Sequence, residues 1–193
     1  LFDIIVSFLG LLILSPLFLL LTILIKCDSK GPVFFIQKRV GRNGKKFGIF
    51  KFRTMRINAE ELIASFTPEQ LKEWKENFKL KNDPRITRVG KFLRNTSLDE
   101  LPQLINIFIG NMSLVGPRPI VEEELEWYGE KKNVLLSVRP GLTGWWATNG
   151  RSEVSYPERC DYELYYVYNC SLLLDIKILF KTFSAVFSRT GTM

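Results

Sequence analysis

The chain has 193 residues, 46% hydrophobic and 24% charged, which suits one ordinary domain with a packed core and excludes a disordered tail protein. It has no histidine, which excludes Ser-His-Asp and Cys-His nucleophile systems, His-ligated haem and the usual zinc hydrolases. Lys plus Arg number 27 against 20 Asp plus Glu, a net charge of +7, and the three cysteines Cys27, Cys160 and Cys170 form no C-x-x-C pair, which fits a reducing compartment.

Residues Ile4 to Ile25 form a run of 22 without charge. As a helix it reaches about 33 Å, near the thickness of a bilayer core. Apolar residues occupy every face, and no cleavage site of small residues follows. Ser15-Pro16 interrupts the run. Pro16 has no N–H for Leu12, so a kink is expected there, with the Ser15 hydroxyl available to the freed carbonyl. Such a helix either crosses the membrane or turns back and leaves by the face it entered; the sequence supports both.

Nine basic residues and no acid lie between Ser29 and Ala59: Lys30, Lys38, Arg39, Arg42, Lys45, Lys46, Lys51, Arg53 and Arg56. Without them the chain has 18 basic against 20 acidic residues, so the whole positive excess sits beside the apolar run. Such clusters mark the cytoplasmic side and are drawn to anionic lipid. The run is either a solvated basic face or part of a site that handles phosphates.

VFFIQKRV and KKFGIFKF around Gly41-Arg42-Asn43-Gly44 predict a β-hairpin, whose turn spacing also resembles a phosphate loop. A helix is expected from Asn58 to Phe66, and another from Thr67-Pro68-Glu69-Gln70 through LKEWKENFKLK, with Thr67 and Gln70 as a capping box. Asn82-Asp83-Pro84 breaks it. Ile86, Val89, Phe92 and Leu93 then recur at helical spacing, and Ser97 to Ile109 predicts a helix closed by Gly110-Asn111. Gly116-Pro117-Arg118-Pro119 and Arg139-Pro140-Gly141-Leu142-Thr143-Gly144 are rigid loops, with a short acidic helix from Val121 to Tyr128 between them. Ser171 to Arg189 is apolar on most faces and suits either the core or a membrane interface. No repeat or linker appears, so one compact α+β domain around a membrane anchor is the simplest layout.

P-loop and G-x-G-x-x-G motifs are missing, and so is an Asp-x-Asp pair. The chemistry points to Arg94-Asn95-Thr96-Ser97-Leu98-Asp99-Glu100-Leu101-Pro102-Gln103. Ser97 and Glu100 fit a capping box, although Pro102 fits that frame less well than one capped by Asp99. The same residues suit catalysis. A helix N-terminus beside Arg94 attracts phosphate and keeps a carboxylate ionised, as a carboxylate nucleophile requires. A neighbouring carboxylate can hold Mg²⁺, which shares its remaining positions with phosphate and water.

These residues also carry a resemblance. LFDIIVSFLGLLILSPLFLL, GPVFFIQKRVGRNGKKFGIFKFRTM, NDPRITRVGKFLRNTSLDELPQLINIFIGNMSLVGPRP, VRPGLTGWWATNGR and YELYYVYNCSLLLDIKIL are collinear and cover nearly the whole chain. Together they resemble the bacterial polyprenyl-phosphate sugar-1-phosphate transferases of the monotopic phosphoglycosyl transferase superfamily. A basic segment usually precedes the apolar helix in that family; the chain starts at Leu1 without one, which agrees with a trimmed start.

The resemblance implies two displacements. Asp99 attacks the sugar-linked phosphorus of a UDP-sugar and expels UMP, and polyprenyl phosphate then takes the phosphosugar. It implies Mg²⁺ on Glu100, phosphate at Arg94, and ligand roles for Lys51, Arg53, Pro117, Arg118 and Arg151. Glu163, often Asp in relatives, and Asp175 match further acids near the site. It also implies that residues 1–26 re-enter at Ser15-Pro16, and that residues 27–193 form a catalytic domain with amphipathic helices at the cytoplasmic face of the bacterial inner membrane. The product starts an exopolysaccharide, lipopolysaccharide or glycoprotein glycan; no nucleic acid is expected, and the sugar and oligomeric state stay open.

Blander roles stand beside these. Pro117 and Pro119 also suit a stiff turn, Arg118 and Arg151 suit structural ion pairs, and Asp175 suits a lysine partner. Trp145 and Trp146 suit core or interface anchors better than a uracil platform. A non-catalytic alternative is a membrane-surface basic module that binds anionic lipid or nucleic acid through Lys30 to Arg56.

Overall fold

The computed structural model describes residues 1–77, 80, 83–150 and 154–187. The apolar N-terminus forms two helices, α1 (Phe2–Ile13) and α2 (Ser15–Asp28), bent by 60° at the break. Ser15 Oγ donates to the Leu12 carbonyl at 2.8 Å, so the oxygen that Pro16 cannot serve keeps a partner. Among the described residues no single helix is long and apolar enough to cross a membrane; the bent pair is, by length and composition, when taken together.

Both ends of the pair are tied to the rest of the chain. Asp3 accepts from Ser113 Oγ (2.9 Å), from the Leu114 N–H (3.2 Å) and from Arg139 Nη2 (3.1 Å). Asp28 Oδ2 accepts from the Val89 N–H at 2.9 Å. Between these ties, Gly10 lies against Leu104, and Leu21 and Ile25 are buried with Phe52 and Leu93.

β1 (Phe34–Val40) and β2 (Lys46–Phe52) form the expected antiparallel hairpin, Phe34 opposite Phe52 and Val40 opposite Lys46. Asn43 (φ 57°) and Gly44 (φ 75°) turn the chain. The nine basic residues do not share one solvated face. Arg39 and Arg53 are largely buried, and Lys51 and Lys46 pair with Glu100 and Glu122.

Asn58 to Phe66 forms turns and a short 3₁₀ segment, Glu61–Ser65, instead of an α-helix. α3 (Pro68–Asn77) has the expected capping box: the Gln70 N–H donates to Thr67 Oγ1, and the Thr67 N–H to Gln70 Oε1. Phe78, Lys79, Lys81 and Asn82, expected to continue and break this helix, lie outside the described residues. α4 (Arg88–Thr96) is capped by Thr87, whose Oγ1 accepts from the Gly90 N–H. Val89 and Leu93 face inward; Phe92 is exposed, and Ile86 precedes the helix in a β-bridge with Met55.

The single helix expected from Ser97 to Ile109 is broken. Ser97 (φ 55°) ends α4 in a left-handed conformation, its N–H donating to the Arg94 and Leu93 carbonyls, and its side chain makes no capping bond to the next turn, so the Ser97–Glu100 box is not formed. A 3₁₀ turn, Leu98–Glu100, follows, and α5 (Gln103–Phe108) begins after Pro102, which has no N–H to continue the earlier turn. Asn106 is fully buried and fastens α5 to β2, accepting from the Phe50 N–H and donating to the Gly48 carbonyl.

β3 (Ser113–Val115) precedes a 3₁₀ segment, Glu122–Lys131, where the short acidic helix was expected, and then α6 (Lys132–Leu135). β4 (Gly141–Thr143) pairs in parallel with β3. α7 (Trp145–Asn149), α8 (Glu158–Asn169) and α9 (Leu172–Phe187) complete the α+β fold. The largest core cluster joins Ile49, Leu104, Ile107, Met112, Leu114, Val115, Tyr166 and Ile178, and a second joins Ile120, Tyr128, Leu135, Cys160 and Leu164. α9 serves core and surface together: Ile178 is buried, whereas Leu172, Leu173, Phe180 and Phe183 are exposed.

Candidate active site

The two rigid loops meet through glycines. The Gly116 N–H donates to the Thr143 carbonyl, and the Gly141 N–H to the Pro117 carbonyl. A Cβ on Gly144 would stand 2.1 Å from the Gly116 oxygen, and one on Gly116 would stand 2.6 Å from the Arg139 oxygen. Only glycine permits this backbone contact, which unites stretches that are remote in sequence.

The expected site residues fall into three contact groups. In the first, the αL turn at Ser97 delivers Asp99 and Glu100 beside the last turn of α4 and the end of β2. Lys51 Nζ lies 2.8 Å from Glu100 Oε1. Arg94 donates from Nε to Thr54 Oγ1 at 2.9 Å; burial lowers its guanidinium, and Asp99, ahead of Asp83, supports its charge. Burial first, and then the Glu100 carboxylate, push the Asp99 carboxyl up to about 6, against the pull of Lys51 and Arg94. The helix N-terminus expected to keep Asp99 ionised is absent, because Asp99 sits in a 3₁₀ turn; with its carboxyl at about 6 it is still mainly ionised at pH 7. Arg53, two residues from Lys51, donates to backbone carbonyls: Nη2 to Ser29 at 2.8 Å and Nη1 to Lys30.

The second group surrounds the Gly116–Pro119 turn. Glu163, 1% exposed, accepts from the Arg118 N–H at 3.1 Å. Burial raises its carboxyl to about 7, opposed by Arg159 and Arg118. Arg159 Nε lies 3.6 Å from Glu163, and its guanidinium stacks 4.2 Å over the Trp146 ring. The Arg118 guanidinium is exposed over the same ring and makes no ion pair among the described residues, and Pro117 is buried in the turn. Arg39 reaches the Pro119 carbonyl at 3.3 Å and Glu124 at 3.5 Å. Arg39 and Arg159 were not singled out from the sequence, where one is a member of a basic run and the other an isolated cation.

In the third group, Asp175 accepts from the Tyr166 hydroxyl at 2.7 Å, a tyrosine in place of the lysine that its structural alternative offered. Tyr166, one helical turn after Glu163, is also 3.3 Å from the Val115 carbonyl. Trp145 packs on Tyr165 with Lys177 and Lys181 over its ring, in line with a core role. Arg151 lies outside the described residues.

The profile of the family described as "Bacterial sugar transferase" matches residues 1–189. The chain belongs to that family. It is 47% identical to the exopolysaccharide production protein ExoY of Rhizobium meliloti, over 99% of this chain and 86% of that protein. It is 48% identical to an undecaprenyl-phosphate galactose phosphotransferase of Salmonella typhimurium (98% of this chain, 40% of that protein). To a UDP-glucose:undecaprenyl-phosphate glucose-1-phosphate transferase of Escherichia coli it is 39% identical (93% and 38%). The chain thus spans about two fifths of the length of several curated relatives it matches, in a stretch that includes the Asp99–Glu100 group.

Proposed function

We propose that the protein transfers a sugar 1-phosphate from a UDP-sugar to polyprenyl phosphate, giving a polyprenyl-diphosphate sugar and UMP. The observation that carries this is Asp99, an accessible-pH carboxylate flanked by a second acid and two cations in a family of sugar transferases. An Asp99 oxygen forms a bond to the sugar-linked phosphorus while the bond to the UMP oxygen breaks, and UMP leaves with that electron pair. A phosphate oxygen of the polyprenyl carrier then displaces Asp99 from the phosphorus. Lys51 and Arg94 stabilise charge on the phosphoryl oxygens, and Arg118, exposed over the Trp146 ring, meets ligand from the second group.

Glu100 would hold Mg²⁺. Among the described residues no three His, Cys, Asp or Glu side chains converge, and a hard pair of carboxylates suits this ion, which takes one or two of them together with phosphate oxygens. When bound, the ion would neutralise charge on the diphosphate.

Residues 1–26 form, in this reading, a re-entrant membrane segment, and residues 27–193 a domain on the cytoplasmic face of the bacterial inner membrane. Support comes from the ties at Asp3 and Asp28, which bind both ends of the bent pair to one body. Exposed Phe8, Leu12, Ile13, Leu19 and Ile23 on the pair suit lipid. The names of the relatives support undecaprenyl phosphate as carrier and exopolysaccharide synthesis as pathway.

The test is UMP release from a panel of UDP-galactose, UDP-glucose and UDP-N-acetylhexosamines, with undecaprenyl phosphate as acceptor. One sugar is expected to support turnover that Asp99→Asn abolishes; turnover by the variant would contradict the reading.

A further inference from the structure

Asp3 and Asp28 are the only acids before Glu60, and each stands at one end of the bent α1–α2 pair. Asp28 holds the start of a different helix. Its Oδ2 accepts from the N–H of Val89, the second residue of α4, one of the first-turn donors without a partner inside the helix. Arg53 secures the same junction by donating to the carbonyls of Ser29 and Lys30, just beyond α2. The next residue, Thr54, runs along α4: its carbonyl accepts from the Thr87 N–H (3.0 Å), and its Oγ1 from Arg94 Nε (2.9 Å). Gly90 touches it so closely that a Cβ there would lie 2.0 Å from the Thr54 oxygen.

α4 is therefore gripped at its first turn by the end of α2 and along its side by Thr54. From Val89 to Arg94 the helix rises about 7.5 Å. Beyond Arg94 the chain turns at Ser97 and reaches Asp99 two residues later. We propose that Asp28 is a positioning residue, coupling the seat of the α1–α2 pair to the placement of Arg94 and Asp99. This rests on the reading of Asp99 as nucleophile. Without the Asp28 tie, α4 keeps its apolar packing on α2 but loses its hydrogen-bonded anchor at the end opposite Arg94, and a misplacement of about 1 Å at a reacting group slows chemistry by about 100-fold.

The test uses the full chain in phospholipid nanodiscs, with Asp28→Ala, Asp28→Ser (too short to reach Val89) and Asp28→Asn (whose Oδ1 still accepts). UMP release from the UDP-sugar panel and hydrogen exchange over Arg88–Thr96 are measured. The alanine and serine variants are expected to lose about 10- to 100-fold in kcat with KM for UDP-sugar within about 3-fold, and to exchange faster in the first turn of α4. The asparagine variant is expected to stay near wild type in both. If alanine does not fold, the serine and asparagine variants carry the contrast. Wild-type kcat in the short variants, unchanged exchange, or equal loss in asparagine overturns the proposal while wild type turns over. A wild type that releases no UMP from any sugar overturns the functional reading and this inference with it.

Discussion

Lys51 on the second hairpin strand and Glu100 on the turn after α4 meet at 2.8 Å, Nζ to Oε1, and so fasten the hairpin to the turn that carries Asp99. Lys51 also draws the Asp99 carboxyl down, against burial and Glu100. Replacing Lys51 with Gln removes that pull. The acid limb of the rate profile is expected to move to higher pH, and UMP release at pH 6 to fall by about 10-fold or more. A pH series on wild type and variant checks this.

In the wild type, turnover should fall as pH drops through about 6, because the attacking form is the ionised Asp99. The stability effect has the opposite sign. The folded carboxyl holds its proton more tightly than an unfolded aspartate, so folding loses stability as pH rises from about 4 through 6. Asp99→Asn removes that penalty and is expected to stabilise the protein at pH 7.5 by about 1–2 kcal/mol, after allowance for solvent screening, while abolishing turnover. Thermal melts at both ends of the range measure it.

Glu163 behaves alike over a neighbouring window. Its carboxyl is raised to about 7, so its ionisation weakens the fold as pH climbs from about 4.5 to 7. Glu163→Gln keeps an oxygen for the Arg118 N–H. The Tm of the variant minus that of wild type is expected to be larger at pH 7.5 than at pH 4.5; a difference that does not vary with pH contradicts the assignment.

The chain discloses local devices and conceals remote ones. Ser15-Pro16 reports its own kink, because a missing N–H acts on the carbonyl four residues back. Thr67 and Gln70 report their box for the same reason. SLDELP is legible as chemistry but not as geometry, since Ser97 could cap the following helix or end the preceding one, and packing of Leu93 and Leu98 decides for the latter. The β3–β4 pairing joins two three-residue strands far apart in sequence, too short to show a period. Arg39 and Arg159 gain meaning only where the fold brings Pro119 and Trp146 to them, and Arg53 only where α2 ends.

Gly144→Ala drives a methyl group into the Gly116 carbonyl and separates the two loops. A loss of about 3 kcal/mol is expected, seen as a lower urea midpoint. Chelation by EDTA is expected to stop turnover and added Mg²⁺ to restore it; full activity in EDTA would remove the proposed metal role from Glu100.

The central claim is that one carboxylate oxygen takes the phosphosugar. Protein incubated with UDP-sugar labelled in the sugar, without lipid acceptor, is quenched, digested and mapped by mass spectrometry. The account predicts label on the peptide containing Asp99, its release by undecaprenyl phosphate as lipid-linked sugar, and none on Asp99→Asn. Label on another side chain, or turnover with no labelled protein, would contradict it.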